Sequence, residues 1–167
     1  DVLYTLNTAS SKALKTVLVS GISSDMSIDP ILRVMKAHWQ RCGNHQIQTL
    51  ALPELAVQEQ ELTHDVDLAQ LWRSLCDAQQ AHDVVCVTNS GGMGTPITRD
   101  TTIAALARDW RLPVVLVAPI RWCAIDPTVT ALSVARTTKV NELGIVLTPG
   151  QASASDLSPE AMADILR

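Results

Sequence analysis

The chain has 167 residues, 47% of them hydrophobic, enough for one globular domain with a sizeable core. Its formal charge of −4 leaves no basic footprint for nucleic acid. No apolar run reaches the roughly 18 residues of a membrane span, so no membrane association is expected.

Asp1–Lys15 is mixed polar and lacks the apolar core of a signal peptide. It reads as an N-terminal extension of a cytoplasmic domain. Thr16–Ser20 is a continuous apolar run ending at Gly21 and predicts a buried strand. The turn Gly21-Ile22-Ser23-Ser24-Asp25-Met26-Ser27-Ile28-Asp29-Pro30 follows, and then an amphipathic helix over Pro30–Cys42, with Ile31, Val34, Met35 and Trp39 at helical spacing. Asp29-Pro30 is a helix-start signal, with Asp29 expected to cap the first turn and Pro30 to occupy the first helical position. Further strands are expected at Ile47–Leu52, Val84–Thr88, Val114–Ala118 and Gly144–Leu147. Pro53–His64 is polar and unperiodic and reads as a surface connection. Further helices are expected at Leu68–Gln80, Thr101–Trp110, Pro127–Thr138 and Pro159–Leu166. Two of these also open with a cap residue before proline, at Asp126-Pro127 and Ser158-Pro159. The segment Pro149–Asp156 is rich in small residues and is expected to be mobile. The alternation predicts a single α/β domain, three layers deep, with a doubly wound and mostly parallel sheet.

Such sheets bind ligands at the carboxyl ends of their strands. There the sequence places Gly21, Ser23, Ser24 and Asp25 beside Gly91, Gly92 and Thr95, a pocket of hydroxyls and free N–H groups for a small polar ligand or anion. The alternative is a turn filled by its own side chains. Arg121-Trp122 forms a second candidate, either a recognition or partner surface or a plug over an emptied pocket. Cys42, Cys76, Cys86 and Cys123 are scattered without a CxxC pair and read as small buried hydrophobes in a reducing compartment. His38, His45, His64 and His82 show no metal-ligand spacing. The serines of the first turn lack the G-x-S-x-G elbow of a hydrolase.

Several segments together resemble the dethiobiotin synthetase family, in its cyanobacterial form. They are the Gly91-Gly92-Met93-Gly94-Thr95-Pro96-Ile97-Thr98 stretch, Trp110-Arg111-Leu112-Pro113-Val114-Val115-Leu116-Val117, Ala124-Ile125, Ala135-Arg136 and Asn141-Glu142-Leu143-Gly144-Ile145-Val146-Leu147. The resemblance runs from about Asp65 to Thr148 and, more weakly, over Thr16–Cys42. It implies a P-loop NTPase-like fold and a homodimer with sites at the subunit interface. It also implies an ATP- and magnesium-dependent carboxylation of 7,8-diaminononanoate that closes a ureido ring. The family's functional side chains do not carry over. Its P-loop lysine falls on Ile28 and the magnesium-binding threonine on Asp29. The magnesium-binding glutamate falls on Thr88 and the adenine-reading asparagine on Thr148. No lysine lies between Lys36 and Lys139 to stand for the second substrate lysine. Arg121-Trp122-Cys123 replaces a small glycine-rich substrate loop. Only Asp29 remains for magnesium.

Phosphoryl transfer depends on positioning and charge stabilisation, and one lost electrostatic donor costs about 3–4 kcal/mol. The expected function is therefore a non-catalytic binding, scaffolding or regulatory subunit, without a cofactor. The alternatives are an active synthetase using ATP and magnesium through unusual ligands, or a different enzyme on the same scaffold.

Overall fold

The computed structural model describes residues 15–23, 26–43, 45–53, 57–58, 61–62, 66–89, 91–149 and 157–166. Strand β1 (Thr16–Gly21), helix α1 (Asp29–Gly43) and strand β2 (Ile47–Ala51) come first. Two short strands follow, β3 (Val57–Gln58) and β4 (Glu61–Leu62), paired antiparallel. The segment expected to be a plain connection therefore contains a small hairpin. Next come α2 (Leu68–Ala81), β5 (Val84–Asn89), α3 (Ile103–Asp109) and β6 (Val114–Ile120). A 3₁₀ turn at Trp122–Ala124 leads into α4 (Ile125–Thr137), β7 (Glu142–Pro149) and α5 (Pro159–Ile165). The expected extension over residues 1–14 and most of the small-residue segment before α5 lie outside the described residues.

The main sheet runs β2-β5-β1-β6-β7, and every neighbouring pair in it is parallel. The chain leaves β1 toward one edge to form β2, then returns step by step toward the other edge. Parallel crossovers are right-handed. A reversal of direction therefore puts α1 on one face of the sheet and the helices of the later crossovers on the other. Side chains obey this division. Leu18, Val85, Val87, Leu116 and Ala118 pack with Leu75 of α2, Leu106 of α3, Leu132 of α4 and Met162 of α5. Val17, Val19, Cys86, Val115 and Val117 point the other way and pack with Ile28 and with Leu32 of α1. The strand period of two thus divides one apolar run between two cores. The result is the expected three-layer, doubly wound α/β arrangement.

Two helix ends are set by local backbone geometry. After α3, Arg111 takes φ 52°, Arg111 N–H donates to the Arg108 carbonyl, and Leu112 N–H donates to that of Ala107 at 2.8 Å. After α4, Lys139 takes φ 60° and Val140 N–H donates to the Ala135 carbonyl at 2.9 Å. Both are Schellman terminations, which satisfy the last helical carbonyls by a left-handed residue. They turn the chain directly into β6 and β7. At the other end, α5 keeps the expected cap: Ser158 Oγ accepts from Ala161 N–H at 3.1 Å. The Asp126-Pro127 expectation is corrected. The 3₁₀ turn lets α4 start at Ile125 behind Ala124, so Asp126 and Pro127 lie inside its first turn.

Candidate functional site

β1 ends the sheet's direction reversal, and its carboxyl end is therefore flanked by the loops after β5 and β6. Gly21 closes β1 with no room to spare. A Cβ there would lie 3.3 Å from the Met26 methyl and 3.3 Å from the Ser23 carbonyl oxygen, with Ile28 Cγ2 at 3.7 Å. Met26 and Ile28 thus fold back over the strand end. Ile28 is only 8% exposed and belongs to the core under α1. Ser23 is half-buried, whereas Ser24 and Asp25 lie outside the described residues.

The start of α1 differs from the expected cap. The Ile28 carbonyl accepts from Ile31 N–H and Leu32 N–H, each at 3.1 Å, so Ile28 stands at the cap position. Asp29 is the first helical residue and Pro30 the second. The Asp29 carboxylate accepts no hydrogen bond among the described residues, and its backbone N–H donates to Ser27 Oγ at 3.4 Å. The physical reason is Ile28 itself: burying that side chain commits the backbone to the helix one residue sooner.

The loop after β5 is tied down by backbone bonds. Thr95 N–H donates to the Gly92 carbonyl at 3.1 Å, Ile103 N–H to that of Thr95 at 2.9 Å, and Ala104 N–H to that of Met93 at 2.9 Å. Asn89 Nδ2 donates to the Gly91 carbonyl at 2.5 Å. Met93 and Ile97 are buried in the larger core. The two glycines are required by space. A Cβ on Gly92 would sit 2.9 Å from the Ile22 carbonyl oxygen, and one on Gly91 would overlap the Thr95 side chain. The sequence reading of Gly21, Gly91, Gly92 and Thr95 as neighbours of one strand edge therefore agrees with their placement.

Beside these loops lies an open cleft of about 570 Å³, between the first turn of α1 and the ends of β2 and β5. Met26, Ile28, Leu32, Ala51 and Leu52 supply its apolar lining. Ser27, Asp29, Thr49, Thr88 and Asn89 supply the polar groups. Of the sequence candidates among the described residues, only Asp29 lines it. Arg121 is half-buried and begins the 3₁₀ turn in an extended conformation, with φ −162° and ψ 149°. Trp122 is 60% exposed, so it does not plug this cleft. A 3₁₀ turn throws its ring outward while Ala124 takes the buried position. Thr49 was missed, because a lone threonine inside a strand carries no signal in sequence.

Two of the residues lining the cleft carry a buried polar atom without a hydrogen-bond partner among the described residues, Thr49 at Oγ1 and Asn89 at Oδ1. Cys86 lies behind it, fully buried under α1. Burial pushes its thiol up to about 11, against a smaller opposing pull from Lys36, so it stays protonated and inert near neutral pH. Cys42 and Cys123 are exposed, which corrects the reading of all four cysteines as buried. Among the described residues no three His, Cys, Asp or Glu side chains converge on a metal position, and no helix is long and apolar enough to cross a membrane.

Comparison with known proteins agrees with this architecture. A profile described as an AAA domain matches residues 23–165. The ATP-dependent dethiobiotin synthetase BioD of Crocosphaera subtropica is 36% identical over 116 residues, covering 65% of this chain and 52% of that protein. BioD of Gloeobacter violaceus is 42% identical over 95 residues, covering 57% and 41%. BioD of a Synechocystis species is 29% identical over 182 residues, covering 88% and 73%. The chain spans about half the length of the first two of these relatives. Among solved structures, the BceF tyrosine kinase domain superposes with a TM-score of 0.53 at 14% identity, covering 81% of this chain and 69% of that one. The chimerical protein CapA2B2 superposes with 0.55 at 13%, covering 84% and 79%. These two share the fold, a P-loop NTPase-like α/β domain. The chain belongs to the AAA-domain family and, within it, to the dethiobiotin synthetases.

Proposed function

We propose that this domain keeps the dethiobiotin synthetase scaffold but has given up its ATP–magnesium site, and works as a non-catalytic binding, scaffolding or regulatory subunit. The observation that carries this reading is Ile28. It falls where the family resemblance puts the phosphate-binding lysine, yet it is 8% exposed and packed in the core with Leu32, Val17 and Val19. A lysine in that role must reach phosphate oxygens; this side chain faces the protein interior. The residues present do not fit a magnesium-bound triphosphate. Among the described residues the cleft lining holds no lysine, arginine or histidine and carries one carboxylate, Asp29. A helix N-terminus attracts an anion through its free N–H groups and dipole, but Asp29 places a negative charge there already. Family likeness further supports a homodimer, and the same subunit could serve a protein partner in the cytoplasm.

Titration calorimetry with ATP and magnesium tests the reading. No binding is expected; a dissociation constant near or below about 10 μM, or about −7 kcal/mol, would overturn it. Light scattering at tens of micromolar tests the assembly, and a monomeric mass would count against the dimer.

A further inference from the structure

Taken separately, the histidines and the cysteines show no ligand spacing. Taken together, His38 and Cys42 stand one helical turn apart on α1, and both are exposed. That interval makes two side chains neighbours on one helix face. The Cys42 sulfur lies 3.5 Å from His38 Nε2 and 3.9 Å from Nδ1. The pair sits toward the C-terminal end of α1, about 14 Å further along the helix than Asp29 and outside the cleft lining.

Imidazole nitrogen and thiolate sulfur are donors that suit zinc-class ions. Zinc bonds of about 2.3 Å to sulfur and about 2.0–2.1 Å to nitrogen, set at the tetrahedral angle, separate the two donors by about 3.6 Å. The separation of Cys42 Sγ and His38 Nε2 is already of this size. The similar distances to both ring nitrogens mean that the sulfur faces the ring rather than the Nε2 lone pair. The ring must therefore turn about χ2, a broad torsion in histidine, and its exposure leaves room for that turn. The helix end favours a cation through its free carbonyls and the negative end of its dipole. Arg41 lies in the same last turn, its Nε donating to the Ala37 carbonyl at 3.2 Å, and opposes a second positive charge. The thiolate supplies the charge that offsets it. The His45 ring lies against Gly43, with Nδ1 3.9 Å from the Asp83 carboxylate. Among the described residues no third donor converges with the pair.

We propose that His38 and Cys42 form a two-point chelate for a zinc-class divalent ion, with water in the remaining positions. Binding replaces the thiol proton, released to solvent, by a metal–sulfur bond. The proposal is independent of the fate of the nucleotide site. Cobalt(II) and then zinc are titrated into the intact, reduced protein. One equivalent of cobalt is expected to give a thiolate-to-metal charge-transfer band, which zinc removes. Cys42→Ser should abolish the band. His38→Ala should weaken cobalt binding about tenfold or more, because one of the two protein donors is gone. Cys123→Ser, which removes the other exposed thiol, should change neither. Zinc should also slow amide exchange in the last turn of α1, which the chelate staples, in the wild type but not in His38→Ala. Absence of the band overturns the proposal. So does a band that survives Cys42→Ser, a band lost in Cys123→Ser, or cobalt binding that is indifferent to His38→Ala.

Discussion

The two loops at the carboxyl edge, after β1 and after β5, are stabilised by different means. The loop after β5 is held by its own backbone: carbonyls of Gly92, Met93 and Thr95 accept local N–H groups, and Gly91 and Gly92 leave no room for side chains. The turn after β1 is held by apolar side chains, with Met26 and Ile28 folded over Gly21. A backbone framework tolerates few substitutions, because a Cβ cannot be accommodated by repacking a carbonyl. A turn whose side chains served a ligand can be refilled by self-packing once the ligand is given up. On the proposed reading, this is why the family pattern stays legible at Gly91-Gly92 while Ile28 and Asp29 stand where the resemblance puts the phosphate-loop lysine and threonine.

The comparison breaks most sharply at Ile28. If this residue has become part of the core, Ile28→Ala should cost about 2–5 kcal/mol in denaturant unfolding, as for other buried aliphatic truncations. A loss under 1 kcal/mol would show that the turn is not held by packing. The other loop predicts a smaller effect of opposite origin. Gly92→Ala adds a methyl facing the Ile22 carbonyl oxygen at 2.9 Å. Overpacking of this kind costs about 1–3 kcal/mol. Unchanged stability would show that the loop can move away from β1, and the distinction between the two loops would fail.

The same difference governs what could be read in advance. The central strands β1, β5 and β6 were legible as runs buried on both faces, the edge strands β2 and β7 are largely half-buried, and the ends of all five moved by no more than two residues. β7 extends to Glu142 and Pro149, whose polar or ring character hides them from an apolar pattern. Helix starts were less legible where a 3₁₀ turn or a core side chain intervened, as at Ala124 and Ile28. The strand ends were legible, with Gly21 closing β1 and Thr88 near the end of β5, but Gly21, Gly91 and Gly92 do not line the cleft. The place of Thr49 in the cleft lining was not legible, since a lone threonine within a strand gives no sign of what it faces. For Arg121-Trp122 the plug over the pocket was the weaker of the two readings, since the 3₁₀ turn leaves Trp122 60% exposed, and sequence order does not tell which way a short turn throws a ring.

The smallest expected effect separates two aspartates that stand at helix starts. Asp67 precedes α2 in extended conformation, and its Oδ1 accepts from Ala69 N–H at 2.9 Å and Gln70 N–H at 3.0 Å. It satisfies donors that the helix itself cannot pair. Asp29 lies one position inside α1, and its carboxylate accepts no hydrogen bond among the described residues. Its contribution is then its charge at the positive helix end alone. Asp67→Ala should cost about 0.5–2 kcal/mol. Asp29→Ala should cost about 0.3–1 kcal/mol, and that cost should shrink as salt screens an exposed charge. Asp29→Asn should behave as Asp29→Ala does, because no capping bond is there to be kept. Chemical denaturation of the variants at low and high salt decides the matter. Equal, salt-independent losses for the two Asp→Ala changes, with Asn rescuing at position 29, would restore Asp29 as the cap of α1. Ile28 would then no longer be required at the cap position.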